Sequence, residues 1–372
     1  MTRRLLAIAS GTGRATRRRM TVLLISAFVA LAATAAAATT TGVWIVQESP
    51  NPRAGDALLR GVSCWSASGC IAVGDSNNFT GTLAERWNGS TWSLLKAPSP
   101  RRSDLSGVSC WSASGCEAVG HDSSGGITVA ERWDGSSWTL QKLPNTLTID
   151  AVSCWSAEGC VAVGGLYEEG APHAERWNGR SWSAQKIAGP PGGGVLSAVS
   201  CSSASECIAV GSNNRNRTLA ERWNGSSWTL QKTPSPRSGG ALYGVSCWSA
   251  SGCEAVGSTS GYGGKTIGEL WNGSSWTLQK TPSPQDSLLN AVSCWSGNGC
   301  VAVGDIPREG GGLAELWDGS SWTLQDSPTP GYGFVLSDVS CWGARGCVAV
   351  GDTPQVGESD IARTFAESWS PQ

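Results

Sequence analysis

At 372 residues the chain is long enough for one large domain or for two or three average ones. Its 49 Gly, 17 Pro and 20 Trp, with only 15 % charged residues, suit many short strands joined by turns and exclude an architecture of long amphipathic helices. The first forty residues hold six of the 27 basic residues and none of the 29 acidic ones, so the remaining body carries a net −8, which excludes nucleic acid as its main partner.

In chain order, the N-terminus comes first. Arg3, Arg4, Arg14, Arg17, Arg18 and Arg19 precede an apolar run from Thr21 to Ala38. This reads as a bacterial-style secretory signal, cleaved among the alanines before Thr39. A run of about 18 residues is close to the minimum for spanning a bilayer, so an uncleaved signal anchor is the alternative, and a membrane is a partner only in that case. Thr16-Arg17-Arg18-Arg19-Met20 also matches a twin-arginine signal. The predicted division is a signal over 1–40 and a single domain over 41–372, secreted or held at the cell surface and expected to be a monomer.

The 14 cysteines form seven C-x5-C pairs with none left over: Cys64 with Cys70, Cys110 with Cys116, Cys154 with Cys160, Cys201 with Cys207, Cys247 with Cys253, Cys294 with Cys300 and Cys341 with Cys347. With an export signal and a fixed spacing, the pairs predict disulfides, each closing a short loop worth about 2 kcal/mol in the chain-entropy model. Zinc sites use tighter cysteine pairs or add histidine, and His121 and His173 are the only two here, so neither metal nor cofactor is expected.

First cysteines recur every 44 to 47 residues, the period of a propeller blade. One unit runs from Leu59 to Pro100 and holds four strand-like stretches: Val62–Cys64, Cys70–Val73, Leu83–Trp87 and Trp92–Lys96. Asn88-Gly89 between the last two predicts a two-residue type I′ turn, which would set Glu85 opposite Trp92. The third strand ends in Trp87, Trp133, Trp177, Trp223, Trp271, Trp317 and Trp369, whereas the fourth holds only Trp92, Trp138, Trp182, Trp228, Trp276 and Trp322. Trp44, in Gly42-Val43-Trp44-Ile45-Val46 before Pro50-Asn51-Pro52, supplies the missing one. The predicted fold is therefore all-β, a seven-bladed β-propeller of four-stranded antiparallel blades, closed by an N-terminal strand that completes the last blade.

The pattern AVG-G/D followed by AERWNGSSWTLQKTPSP resembles kelch propellers, which place a glycine pair after the second strand and aromatics around the third and fourth. Val163-Gly164-Gly165 preserves that pair; Asp75, His121, Ser212, Ser258, Asp305 or Asp352 takes its second place in the other units. Trp133-Asp134-Gly135-Ser136-Ser137-Trp138 resembles the Asp-box turn of sialidase propellers, with Asp and Gly adjacent where that box separates them. The resemblance covers about residues 42–371 and implies fold, since both families contain enzymes as well as binding scaffolds.

Several repeated residues invite a functional reading. Glu85, Glu131, Glu175, Glu221, Glu269, Glu315 and Glu367 stand two before each third-strand Trp. Seven copies point to a structural hydrogen bond rather than to one active site. Between the cysteines lie Trp65, Trp111, Trp155, Trp248, Trp295 and Trp342, with Ser202 in the fourth unit. These indoles either pack beneath the adjacent blade or stack on sugar rings as several weak sites. The loops after the second strand vary most, and their rim holds Tyr167, His173, Arg217 and Tyr262 as candidate ligand contacts. Two histidines and no spare cysteine exclude a copper oxidase, and Arg86, Arg132, Arg176 and Arg222 sit too far out on the third strand for a sialidase site. The reading is a secreted, non-enzymatic binding or scaffold propeller that presents a loop rim to a carbohydrate or an extracellular protein. A sialidase-like or other glycoside-acting enzyme is the alternative.

Overall fold

The computed structural model describes residues 42–52, 55–76, 81–100, 102–121, 128–144, 148–165, 170–260, 264–284, 286–307, 311–328, 333–353 and 362–372. The predicted signal over 1–40, Tyr167 and Tyr262 lie outside them. Twenty-eight strands, β1 to β28, form seven four-stranded antiparallel sheets. Blade 1 is β2 (Ala57–Ser66), β3 (Gly69–Ser76), β4 (Gly81–Trp87) and β5 (Trp92–Leu94), strands a to d from the centre outward. Blades 2 to 6, β6–β9 through β22–β25, cover 107–141, 149–185, 194–231, 240–279 and 288–325. Blade 7 joins β26 (Val335–Cys341), β27 (Cys347–Thr353) and β28 (Arg363–Pro371) to β1 (Gly42–Gln47), with Trp44 facing Trp369 across the ladder.

The core lies between blades. Val161 and Val163 of blade 3, for example, pack with Leu196, Val199 and Leu219 of blade 4. Farther out, Trp87 and Trp92 and their counterparts form tilted pairs with centroids 5.5 to 5.8 Å apart in blades 1 to 6. At the centre, a serine of each strand a ties one blade to the next. The Ser63 hydroxyl accepts the Cys110 amide at 2.9 Å, and the same bond repeats from Ser109 to Cys154, Ser153 to Cys201, Ser200 to Cys247, Ser246 to Cys294 and Ser293 to Cys341. Ser340 then accepts the Cys64 amide at 2.9 Å, closing the circuit.

All seven predicted cysteine pairs are disulfides between strands a and b of one blade. Cys64 is bonded to Cys70, Cys110 to Cys116, Cys154 to Cys160, Cys201 to Cys207, Cys247 to Cys253, Cys294 to Cys300 and Cys341 to Cys347, and no free cysteine remains among the described residues. The two partners differ in surroundings. Cys70, Cys116, Cys160, Cys207, Cys253, Cys300 and Cys347 on strand b are buried in the core, whereas their strand-a partners are half-buried. Such a set belongs to an oxidising compartment. No helix among the described residues is long and apolar enough to cross a membrane.

The turn between strands c and d corrects the expected one. Trp87 pairs with Trp92, so four residues bridge the strands, and Glu85 lies opposite Leu94 rather than Trp92. The reason is an Asx turn: the Asn88 Oδ1 accepts the Ser90 and Thr91 amides, and the Asn88 amide donates to the Thr91 carbonyl. Gly89 takes a positive φ of 98° while Asn88 does not.

Candidate functional site

On the face carrying the a–b and c–d turns, the inter-cysteine indoles pack against neighbouring blades. Trp65 leans on the core of blade 2, Trp111 on that of blade 3, Trp155 on blade 4, Trp248 on blade 6, Trp295 on blade 7 and Trp342 on blade 1. All six indoles are half-buried. Trp295 stacks on Trp369 at 5.9 Å, and the Arg132 guanidinium lies between Trp111 and Trp177 at 4.7 and 5.2 Å. Arg176 repeats this between Trp155 and Trp223. These arginines serve as cation–π spacers between blades.

Each inter-cysteine Trp also rests on a glycine of its own turn. A Cβ on Gly69 would stand 2.2 Å from Trp65, and Gly115, Gly159, Gly252, Gly299 and Gly346 are as close to their indoles. Blade 4 changes both partners at once. Ser202 replaces the Trp, and Glu206 replaces the Gly and pairs with Arg222 at 2.7 Å. Gly69→Ala is therefore expected to cost about 1–3 kcal/mol in urea unfolding by overpacking. Ser202→Trp should be tolerated only together with Glu206→Gly; equal stability of the single and double variants would contradict the pairing.

The seven strand-c glutamates are fully buried, and Glu85, Glu221 and Glu367 accept hydrogen bonds from the exit of the preceding blade's strand d. The Ser49 hydroxyl, following β1 of blade 7, donates to Glu85 at 2.8 Å. The Gly189 amide of blade 3 donates to Glu221 at 2.9 Å, and the Ser327 hydroxyl of blade 6 to Glu367 at 3.1 Å. His173 occupies the position that is Leu83, Val129, Leu219, Ile267, Leu313 or Phe365 in the other blades. It is buried, with Nε2 3.2 Å from Glu175 Oε1, and is thus withdrawn from the rim. Arg217 is exposed on the rim and donates to the Pro236 carbonyl at 2.7 Å.

The central cavity is a site that the repeat pattern does not announce. In strand a of blade 1, Leu59 pairs with Gly74 and Gly61 with Val73, leaving Arg60 as a bulge. The same skip falls at Asp150, Ser197, Tyr243, Asn290 and Ser337, and Ser106 holds the equivalent place just before strand a of blade 2. A β-bulge re-aims the unpaired side chain, and all seven of these residues line a cavity of about 830 Å3 at the axis. The bulge explains the glycine of the AVG triplet too, since a Cβ on Gly74 would lie 1.9 Å from the Leu58 carbonyl. A sequence signal for it exists: strand a reads L-x-G-V-S-C-W or nearly so in every unit, and the varied x is the cavity residue.

Acidic groups surround the cavity at the end where the d–a segments enter. Arg60 Nε donates to Asp75 at 2.7 Å, and Asp104 accepts the His121 amide at 3.3 Å. Burial pushes the Asp150 carboxyl up to about 6, against the pull of His121. Asp338 stands where other blades have Gly or Ala; burial raises it to about 7, although its two oxygens accept the Val62 and Val339 amides at 2.7 and 2.8 Å.

Fold and cavity together define a seven-bladed β-propeller with a polar axial chamber. No family model matches the sequence, and no curated protein emerges as a relative. Among solved structures, the chain resembles YCF48 from Cyanidioschyzon merolae at 16 % identity, with 87 % of this chain and 98 % of that one covered and a TM-score of 0.58. It also resembles the Aleuria aurantia lectin bound to α-methyl-L-fucoside (13 %, 77 % and 99 %, 0.52). A third likeness is to the xyloglucanase of Xanthomonas campestris (13 %, 84 % and 53 %, 0.58). At these identities the likeness is one of fold.

Proposed function

We propose that the chain is a non-enzymatic binding propeller, secreted or held at the cell surface, whose site is the axial cavity and the rim of b–c and d–a loops above it. The partner is a carbohydrate or an extracellular protein, met by a monomer without a cofactor. One observation carries the reading: within a nearly invariant repeat, the strand-a position that faces the cavity differs between blades as Arg, Ser, Asp, Ser, Tyr, Asn and Ser. Packing needs give every blade the same residue, whereas recognition of one asymmetric ligand needs them to differ. Kinship with kelch-like or Asp-box-like propellers belongs to the same reading, supported by the Asx turns at Asn88 and Asp134.

The glycoside-acting alternative draws on the raised carboxyls of Asp150 and Asp338. The usual route of glycoside hydrolysis needs two available carboxyl groups. Asp338 is engaged by two amides, and Asp104, the other acid lining the cavity, accepts the His121 amide and lies beside Arg60, which favours binding over hydrolysis. The test compares retention on immobilised cell-wall polysaccharide and on extracellular protein fractions for the wild type and for Ser197→Trp, which fills the cavity. Retention should fall at least tenfold with an unchanged melting temperature. Equal retention would refute the cavity as the site, and release of sugar from the polysaccharide would turn the assignment to an enzyme.

A further inference from the structure

We infer that the axial cavity takes the end of a glycan chain, one per propeller, with Tyr243 as the stacking platform and Asp150 and the serines of the bulge ring as hydroxyl partners. The inference rests on the binding-propeller reading and names its ligand class.

The hydroxyls on the repeated positions of this molecule are largely committed to other protein groups. Thr139, Thr229 and Thr277 donate to the carbonyls opposite them, and the serines of strand a accept amides from the next blade. The bulge ring behaves differently. The side chains of Ser106, Asp150, Ser197, Tyr243 and Ser337 make no hydrogen bond to any described residue, yet all five line the cavity. A hydroxyl can donate once and accept twice, so these groups present donors and acceptors together, with one carboxylate that only accepts when ionised. Sugar hydroxyls have the same dual character, and a carboxylate can accept from two neighbouring hydroxyls at once. Tyr243 adds an aromatic surface suited to the apolar face of a sugar ring.

Size and charge agree. About 830 Å3 lies within the roughly 300–1,000 Å3 of small-ligand sites, enough for a chain end and too little for a folded partner. The one arginine of the ring, Arg60, is paired with Asp75, so the ring offers no open guanidinium for a phosphate or sulfate. A neutral glycan end fits this chemistry better than an anion. The repeated indoles on the opposite face are partly covered by packing against neighbouring blades, unlike the open bulge ring.

The experiment applies the oxidised protein to an array of neutral and acidic oligosaccharides, followed by titration calorimetry with each hit as a short oligosaccharide and as its polymer. The expected result is binding of a neutral glycan at one chain end per protein. Tyr243→Ala and Asp150→Asn should each weaken it at least tenfold, and Leu140→Ala, exposed on the outer strand of blade 2, should leave it unchanged. Because neither the Tyr243 nor the Asp150 side chain has a hydrogen-bond partner among the described residues, both variants should keep the wild-type melting temperature. Several equivalent sites per chain, or binding indifferent to both substitutions, would overturn the inference. Silence across the array would overturn it as well. If Ser197→Trp still lowered retention on the protein fractions, binding through the cavity would stand and only the glycan would fall; if it did not, both would fail.

Discussion

Removal of residues 42–52 is expected to cost far more than the loss of an exposed tail. β1 is the outermost strand of blade 7, and its departure leaves β28 as a bare edge. Trp44, 4 % exposed in the fold, is lost from a cluster that contains Leu336, Val339, Phe365 and Trp369. Truncating one such Trp costs about 3–5 kcal/mol, already a large share of the roughly 5–15 kcal/mol that holds a typical domain. The segment after β1 adds polar ties: Ser49 donates to Glu85 of blade 1, its hydroxyl lies 2.8 Å from that of Thr364, and Asn51 accepts the Thr364 amide. One short strand thus latches the last blade to itself and to the first. A chain lacking residues 42–52 should melt at least 10 °C lower, and Trp44→Ala should capture a large part of that loss. A truncated protein melting within a degree or two of the intact one would show that the Ser340–Cys64 bond and the inner strands close the ring without the latch.

The number of blades, the strand count within each, the disulfide pairing and the displaced closing strand are all legible in the sequence because they follow from repetition. A residue that recurs seven times, or six times plus once at the other terminus, announces its role by counting. The turn between strands c and d is not legible in this way because Asn-Gly supports both a two-residue hairpin and an Asx turn. The serine that follows, bonded to the Asn88 Oδ1 through both its amide and its hydroxyl, decides for the second. His173 follows a variable loop, which suggests a rim residue. Its alignment with Leu83 and Phe365 places it in the core instead. The cavity is hidden for the opposite reason: its residues do not repeat, and a bulge changes which face a strand residue points to, so alternation along Leu59-Arg60-Gly61-Val62 gives no hint that Arg60 reaches the axis.

Stability is expected to fall as pH rises from about 5 to 9, opposite to the usual course of acid denaturation. Burial raises the carboxyl of Glu85 from 4.5 to about 8, and those of Glu131, Glu221, Glu269, Glu315 and Glu367 to about 7. The hydroxyl and amide donors of the preceding blade that reach Glu85, Glu221 and Glu367 pull them back only in part. Glu117, buried beside Arg132, is likewise pushed up to about 8. For every one of these groups the folded state holds its proton more tightly than the unfolded state. The stabilisation is therefore complete below about pH 4.5, erodes as pH climbs, and is gone above about pH 8. The exposed turn aspartates Asp134 and Asp318, lowered by their serine donors, act in the other direction, and only below about pH 4, where an ordinary aspartate takes up its proton. One glutamate clasp should contribute on the order of 1 kcal/mol to the change, and the set several kcal/mol. Urea unfolding midpoints measured at pH 5, 7 and 9 should decrease in that order. Glu131→Gln, neutral at every pH, should flatten part of the decline without abolishing the fold. A midpoint that rises between pH 5 and 9, or a Gln variant with the same pH slope as the wild type, would show that the glutamates ionise in place and that the clasps between blades tolerate their charge.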